Sequence, residues 1–188
     1  MMLKKTSFYD DWLNFSGNHS IVECDFFDFK ENPVTELLGD FSKERLIAFG
    51  EHASGSLLTF YSKNIELSVE EAPVAWLDSE GSPCIAISNN LIEFLSILPY
   101  GMGFIYSIAS VIENNLGDSS ILAKARQKVT QNANELLEES KKRFLGIDDL
   151  LTWLASKSIQ VSNDPVKIIA EAHEKNSDLT PWIAENLS

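Results

Sequence analysis

Residues 72–98 run Ala72-Pro73-Val74-Ala75-Trp76-Leu77-Asp78-Ser79-Glu80-Gly81-Ser82-Pro83-Cys84-Ile85-Ala86-Ile87-Ser88-Asn89-Asn90-Leu91-Ile92-Glu93-Phe94-Leu95-Ser96-Ile97-Leu98. They read as strand, turn, strand, helix. Val74–Leu77 and Cys84–Ile87 are short apolar runs bounded by Pro73, Gly81 and Pro83, the length and punctuation of strands buried on both faces. Between them, Asp78-Ser79-Glu80-Gly81 carries a glycine where a longer hairpin turn needs positive φ. Asn90 then offers a side-chain oxygen to the first turn of a helix, with Glu93 three residues on to answer it as in a capping box. Leu91, Leu95 and Leu98 make one apolar stripe on that helix.

Upstream, Arg45–Glu51 and Ser56–Ser62 have strand character and are joined through His52-Ala53-Ser54-Gly55, while Lys63–Glu71 is a polar connection. Ser20–Phe29 alternates Ile21, Glu23, Asp25 against Val22, Cys24, Phe26, the period of a half-buried strand. Pro33–Gly39 reads as a turn or a single helical turn, and residues 7–15 as a short amphipathic helix through Phe8, Trp12 and Phe15.

Glu71 to Gly81, then Ile85-Ala86, then Asn90 to Leu98 resemble the core of the SUKH superfamily, and Phe49-Gly50-Glu51-His52-Ala53-Ser54-Gly55-Ser56 resembles its segment in which a Ser-Gly turn joins two strands. The likeness covers roughly residues 44–101 and rests on the order and spacing of the set. The Leu-Pro-aromatic segment with a following Gly-Gly that many members show is not visible in residues 1–43. The superfamily includes a fungal regulator of cell-wall glucan synthesis and many bacterial immunity proteins that neutralise polymorphic toxins. The resemblance therefore implies an immunity protein that occludes a toxin, or alternatively a regulatory or scaffold protein of the same fold without a toxin partner.

Beyond this stretch the chain becomes helical. Leu91 to Ile112 holds one charge, Glu93, but Pro99, Gly101 and Gly103 break it into halves too short to cross a bilayer, so two buried helices meeting at a bend are expected. Met102–Asn115 is the second of them, with Gly117 as its stop. Asp118 is a candidate cap for a long helix with Ile121, Ala125, Val129, Ala133, Leu136, Leu137 and Phe144 on one face. Gly146 ends it, and Lys141, Lys142 and Arg143 complement its dipole. Asp148 opens another helix with Leu150, Leu151, Trp153 and Leu154. Asp164-Pro165 and Thr180-Pro181 are cap-then-proline signatures for two more, over Val166–Glu174 and Trp182–Leu187. The expected fold is α+β: a mostly antiparallel sheet of about five or six strands with helices on one face, SUKH-like. Residues 1–117 form that domain, and residues 118–188 form a C-terminal all-helical extension.

A chain of 188 residues with 44% hydrophobic and 23% charged residues is long enough to bury a core. The net charge of −13 disfavours phosphate backbones and anionic lipid, so neither nucleic acid nor membrane is expected as a partner. Cys24 and Cys84 stand far apart in apolar company and read as small buried hydrophobes. Asp10 and Asp11 meet the N-terminal lysines before any apolar run, so no signal peptide is read and a cytoplasmic protein is expected.

Chemistry-bearing patterns are sparse. His19, His52 and His173 lack metal-ligand spacing, and neither metal nor cofactor is expected. His52 and Ser54 invite a base-and-nucleophile reading, yet a nucleophile elbow needs Gly where His52 stands, and Ser54 reads as a turn residue. Gly50 and Gly55 begin a phosphate-loop spacing that Ser56 breaks in place of lysine. Asp10-Asp11 and Asp148-Asp149 are first-turn acids. Between Glu51 and Tyr100 the acids Glu51, Glu66, Glu70, Glu71, Asp78, Glu80 and Glu93 face the single base Lys63. Glu51, Glu70, Glu71, Asp78 and Glu80 are therefore the candidate protein-binding residues, facing a partner such as a basic toxin domain. The expected function is a noncatalytic protein-binding module, with no catalytic residues assigned and the oligomeric state left open.

Overall fold

A computed structural model describes residues 4–18, 27–29, 45–62, 67–115 and 119–186. The elements in order are α1 (Ser7–Asn18), β1 (Phe27–Phe29), β2 (Leu46–His52), β3 (Leu57–Tyr61), β4 (Val74–Leu77) and β5 (Cys84–Ser88). There follow α2 (Leu91–Ile97), α3 (Met102–Asn114), α4 (Ser119–Arg143), α5 (Ile147–Ser156), α6 (Pro165–Lys175) and α7 (Leu179–Asn186). The strands form one five-stranded antiparallel meander in the order β1-β2-β3-β4-β5. The class is α+β with a C-terminal helical part, as the sequence reading had it.

Alternation along the strands explains why β3, β4 and β5 are buried throughout. Phe49, Leu58, Phe60, Val74, Trp76, Ile85 and Ile87 point to one face, where they meet Tyr9 and Trp12 of α1, Phe94 of α2 and Ile105 of α3. Phe49 lies against Phe60 with ring centroids 4.3 Å apart and meets Phe94 edge-on. Leu46, Ala48, Leu57, Tyr61, Ala75, Leu77, Cys84 and Ala86 point to the other face, where Ala172 of α6 and Leu179, Trp182 and Ile183 of α7 cover them. The helices of residues 1–117 do lie on one face. The second face is closed by the C-terminal helices, so the packing runs across residue 118. Val129, Leu150, Leu154, Val166 and Ile169 also join the first-face core.

Several local signals take their expected form. Asn90 caps α2 by accepting from the amide of Glu93, and Asp164 caps α6 by accepting from that of Lys167 with Pro165 following. Glu93 reaches back one residue further than a capping box requires, accepting from the amide of Asn89 at 2.8 Å. The bend at Pro99–Gly101 turns α2 against α3 by 110°, and their apolar faces are buried in the core. Among the described residues no single helix is long and apolar enough to cross a membrane.

Other details depart from the pattern. The buried stripe of α1 is Tyr9, Trp12 and Ser16, with Phe8 and Phe15 flanking it against Trp153. On α4, Val129 and Ala133 are buried, but Ile121 is 37% exposed, and it is the neighbouring Leu122 that packs against the core. Helix α7 starts at Leu179, ahead of the Thr180-Pro181 signature, and the Thr180 hydroxyl donates to the Cys84 carbonyl of edge strand β5 instead of capping. The expectations on Pro33–Gly39, Gly117, Asp118, His19, Cys24 and most of the strand over Ser20–Phe29 lie outside the described residues.

Candidate functional site

Two tight turns are brought side by side by the pairing of Leu57 with Leu77. In the β2–β3 turn the Gly55 amide donates to the His52 carbonyl and the His52 amide to the Ser56 carbonyl, each at 2.8 Å, and Gly55 has φ of +92°. In the β4–β5 turn the Gly81 amide donates to the Asp78 carbonyl at 3.0 Å, Gly81 has φ of +93°, and the Asp78 carboxylate accepts the Glu80 amide at 2.9 Å. Both glycines stand where the sequence placed them.

Buried Ser56 fastens the turns together. Its hydroxyl donates to the Asp78 carboxylate at 3.2 Å and accepts the Ser79 amide at 3.2 Å. On its other side Ser54 Oγ lies 3.1 Å away, and Ser54 Oγ in turn is 2.6 Å from His52 Nδ1. The opposite wall is the first two turns of α3, where Met102, Gly103 and Tyr106 come forward and the Tyr106 ring leans on Trp76 with centroids 5.4 Å apart. Between these walls is an open cleft of about 300 Å³. It has hydroxyls and carboxylates on one side and an aromatic surface on the other. Asp78 and Glu80 are in its lining, which contains no lysine or arginine among the described residues.

The hydrogen-bond order bears on chemistry. A serine nucleophile works through a base held between it and an acid. Here the acid reaches Ser56, and His52 Nδ1 accepts the amide of Ser54 itself at 3.1 Å, the geometry of a turn whose ring replaces a backbone acceptor. Among the described residues no group of three or more His, Cys, Asp or Glu is placed to hold a metal.

The five acids singled out by the sequence do not converge. Asp78 and Glu80 lie in the cleft, and Glu51 is at the same end of the sheet, paired with Leu57. Glu70 and Glu71 precede β4, at its far end. There Glu70 accepts the Thr6 hydroxyl. Glu71 accepts the amide and hydroxyl of Ser68, which hold its carboxyl below the usual range. These two acids shape a turn that receives the N-terminal segment, whose Lys4 bridges to Ser68. Glu113 of α3 is likewise engaged, accepting the Cys84 amide and the Ser82 hydroxyl at the β5 edge.

The sequence reading did not assign Ser56, Met102 or Tyr106 to a site. Ser56 had the signal of a hydroxyl beside a turn, but its bond to Asp78 spans 22 residues. Tyr106 is a partly exposed aromatic on α3, visible only once its face is known. Burial lifts the Cys84 thiol to about 11, so that cysteine is a packed apolar group rather than a reactive one. Compared with family models, curated proteins and solved structures, the chain matches none.

Proposed function

We propose that this protein is a noncatalytic protein-binding module, similar in role to the bacterial immunity proteins of the SUKH superfamily, that neutralises a basic toxin domain by covering it. The observation that carries this reading is the end of the sheet where Asp78 and Glu80 stand in an open cleft whose lining, among the described residues, has no lysine or arginine. A chain of net charge −13 adds a long-range attraction for a basic partner, which raises association rate more than affinity. The hydroxyl network around Ser56 supports binding rather than turnover, because it holds the turns rigid and spends His52 Nδ1 on Ser54.

The test is co-expression and co-purification with the product of the neighbouring gene. A complex together with protection of the host cell is the expected result. A complex without protection favours a scaffold role, and neither complex nor protection removes the proposal.

A further inference from the structure

We infer that the cleft between the two turns and α3 is a socket for one arginine side chain of the partner, an inference that rests on the protein-binding reading above. Its volume of about 300 Å³ is at the lower limit of small-molecule sites, which run from about 300 to 1,000 Å³, and suits a single long side chain. The two carboxylates select a cation. The first turn of α3 contributes a partial positive charge of about half a unit, which two full negative charges outweigh.

Arginine fits better than lysine for two geometric reasons. Asp78 is held in place by the Ser56 hydroxyl on one oxygen and the Glu80 amide on the other, so a planar fork of N–H groups meets fixed acceptors. In the same lining Tyr106, 36% exposed and with its ring braced by Trp76, offers a surface on which a guanidinium stacks while a compact ammonium does not fill it. Glu80, exposed at the rim, supplies the second carboxylate.

The full chain is titrated with acetyl-Gly-Arg-Gly-amide and, separately, with the citrulline peptide of the same shape and no charge, followed by backbone amide NMR. The arginine peptide is expected to shift the amides of Gly55, Ser79, Glu80 and Gly103, with the citrulline peptide several-fold weaker. Glu80→Gln and Tyr106→Ala each lower the apparent affinity about threefold, the size of one exposed cation–π or ion-pair contact. Both side chains are at the surface, and unchanged resonances outside the cleft verify that the variants are folded. Equal binding of the citrulline peptide, shifts confined to other surfaces, or affinities unmoved by both variants overturn the socket. Should the neighbouring gene product bind wild type and both variants alike, the socket falls and the protein-binding reading stands. If that product never binds while the arginine peptide does, the socket stands without its partner.

Discussion

Two histidines in described segments show how differently one residue type is used. His52 sits at a turn and is held by its neighbour Ser54, whereas His173 on α6 is buried, and its Nδ1 has no hydrogen-bond partner among the described residues. Burial pushes the His173 imidazole below its ordinary value, and the negative charge of Glu113 on α3 only partly opposes this. The folded chain therefore resists protonation at a pH where the unfolded chain, near 6.5, accepts it. Stability from this site is complete above about pH 6.5 and declines as pH falls toward the lower folded value. His173→Gln is expected to flatten the loss of urea midpoint between pH 7 and 5.5. Equal losses in wild type and variant would show that the slope arises elsewhere.

At the scale of elements, β4, the Asp78–Gly81 turn, β5 and α2 were legible because each is specified by neighbours in sequence. A glycine supplies the left-handed φ, an asparagine supplies the cap, and apolar runs of four or five residues supply strands buried on both faces. The same locality makes their energies predictable. A Cβ added at Gly81 meets nothing within 4 Å, so Gly81→Ala costs only the conformational term, about 1–2 kcal/mol. Asn90→Ala removes one cap bond and costs about 1 kcal/mol. Chemical denaturation of the two variants measures both, and a neutral Gly81→Ala would mean that the turn relaxes to another type. What sequence could not supply was the set of contacts between distant elements. Thr180-Pro181 has the pattern of a cap, and nothing local reveals that the Thr180 hydroxyl finds the Cys84 carbonyl 96 positions earlier. The acids were grouped by proximity in sequence, but Glu70 and Glu71 face Thr6 and Ser68 at one end of β4 while Asp78 faces Ser56 at the other. The cleft was invisible for the same reason, being assembled from two hairpin turns and a helix that follows them.

For the molecule as a whole, the decisive contacts are those that α6 and α7 make with the second sheet face. Without them Leu46, Leu57, Tyr61 and Leu77, each at most 3% exposed, would open to water. Burial of one such side chain contributes about 1.5–3 kcal/mol, so four amount to about 6–12 kcal/mol, comparable to the whole stability of an ordinary domain, about 5–15 kcal/mol. Directional contacts add to this loss: the Tyr61 hydroxyl donates to Asp178 at 2.8 Å, and the Arg45 guanidinium lies over the Trp182 ring. Burial together with that bond lifts the Tyr61 phenol to about 12, so it remains a donor at every physiological pH. Removing α6 also bares the side of β5 along which it packs, an invitation to pair with another strand. A chain ending at residue 164 is therefore expected to lose its cooperative melting transition, to bind a hydrophobic dye and to aggregate, although the β4–β5 hairpin and α2 are intact in it. A sharp melting transition and native near-ultraviolet dichroism from that shortened chain would show that the second face needs no cover and that the terminal helices serve another purpose.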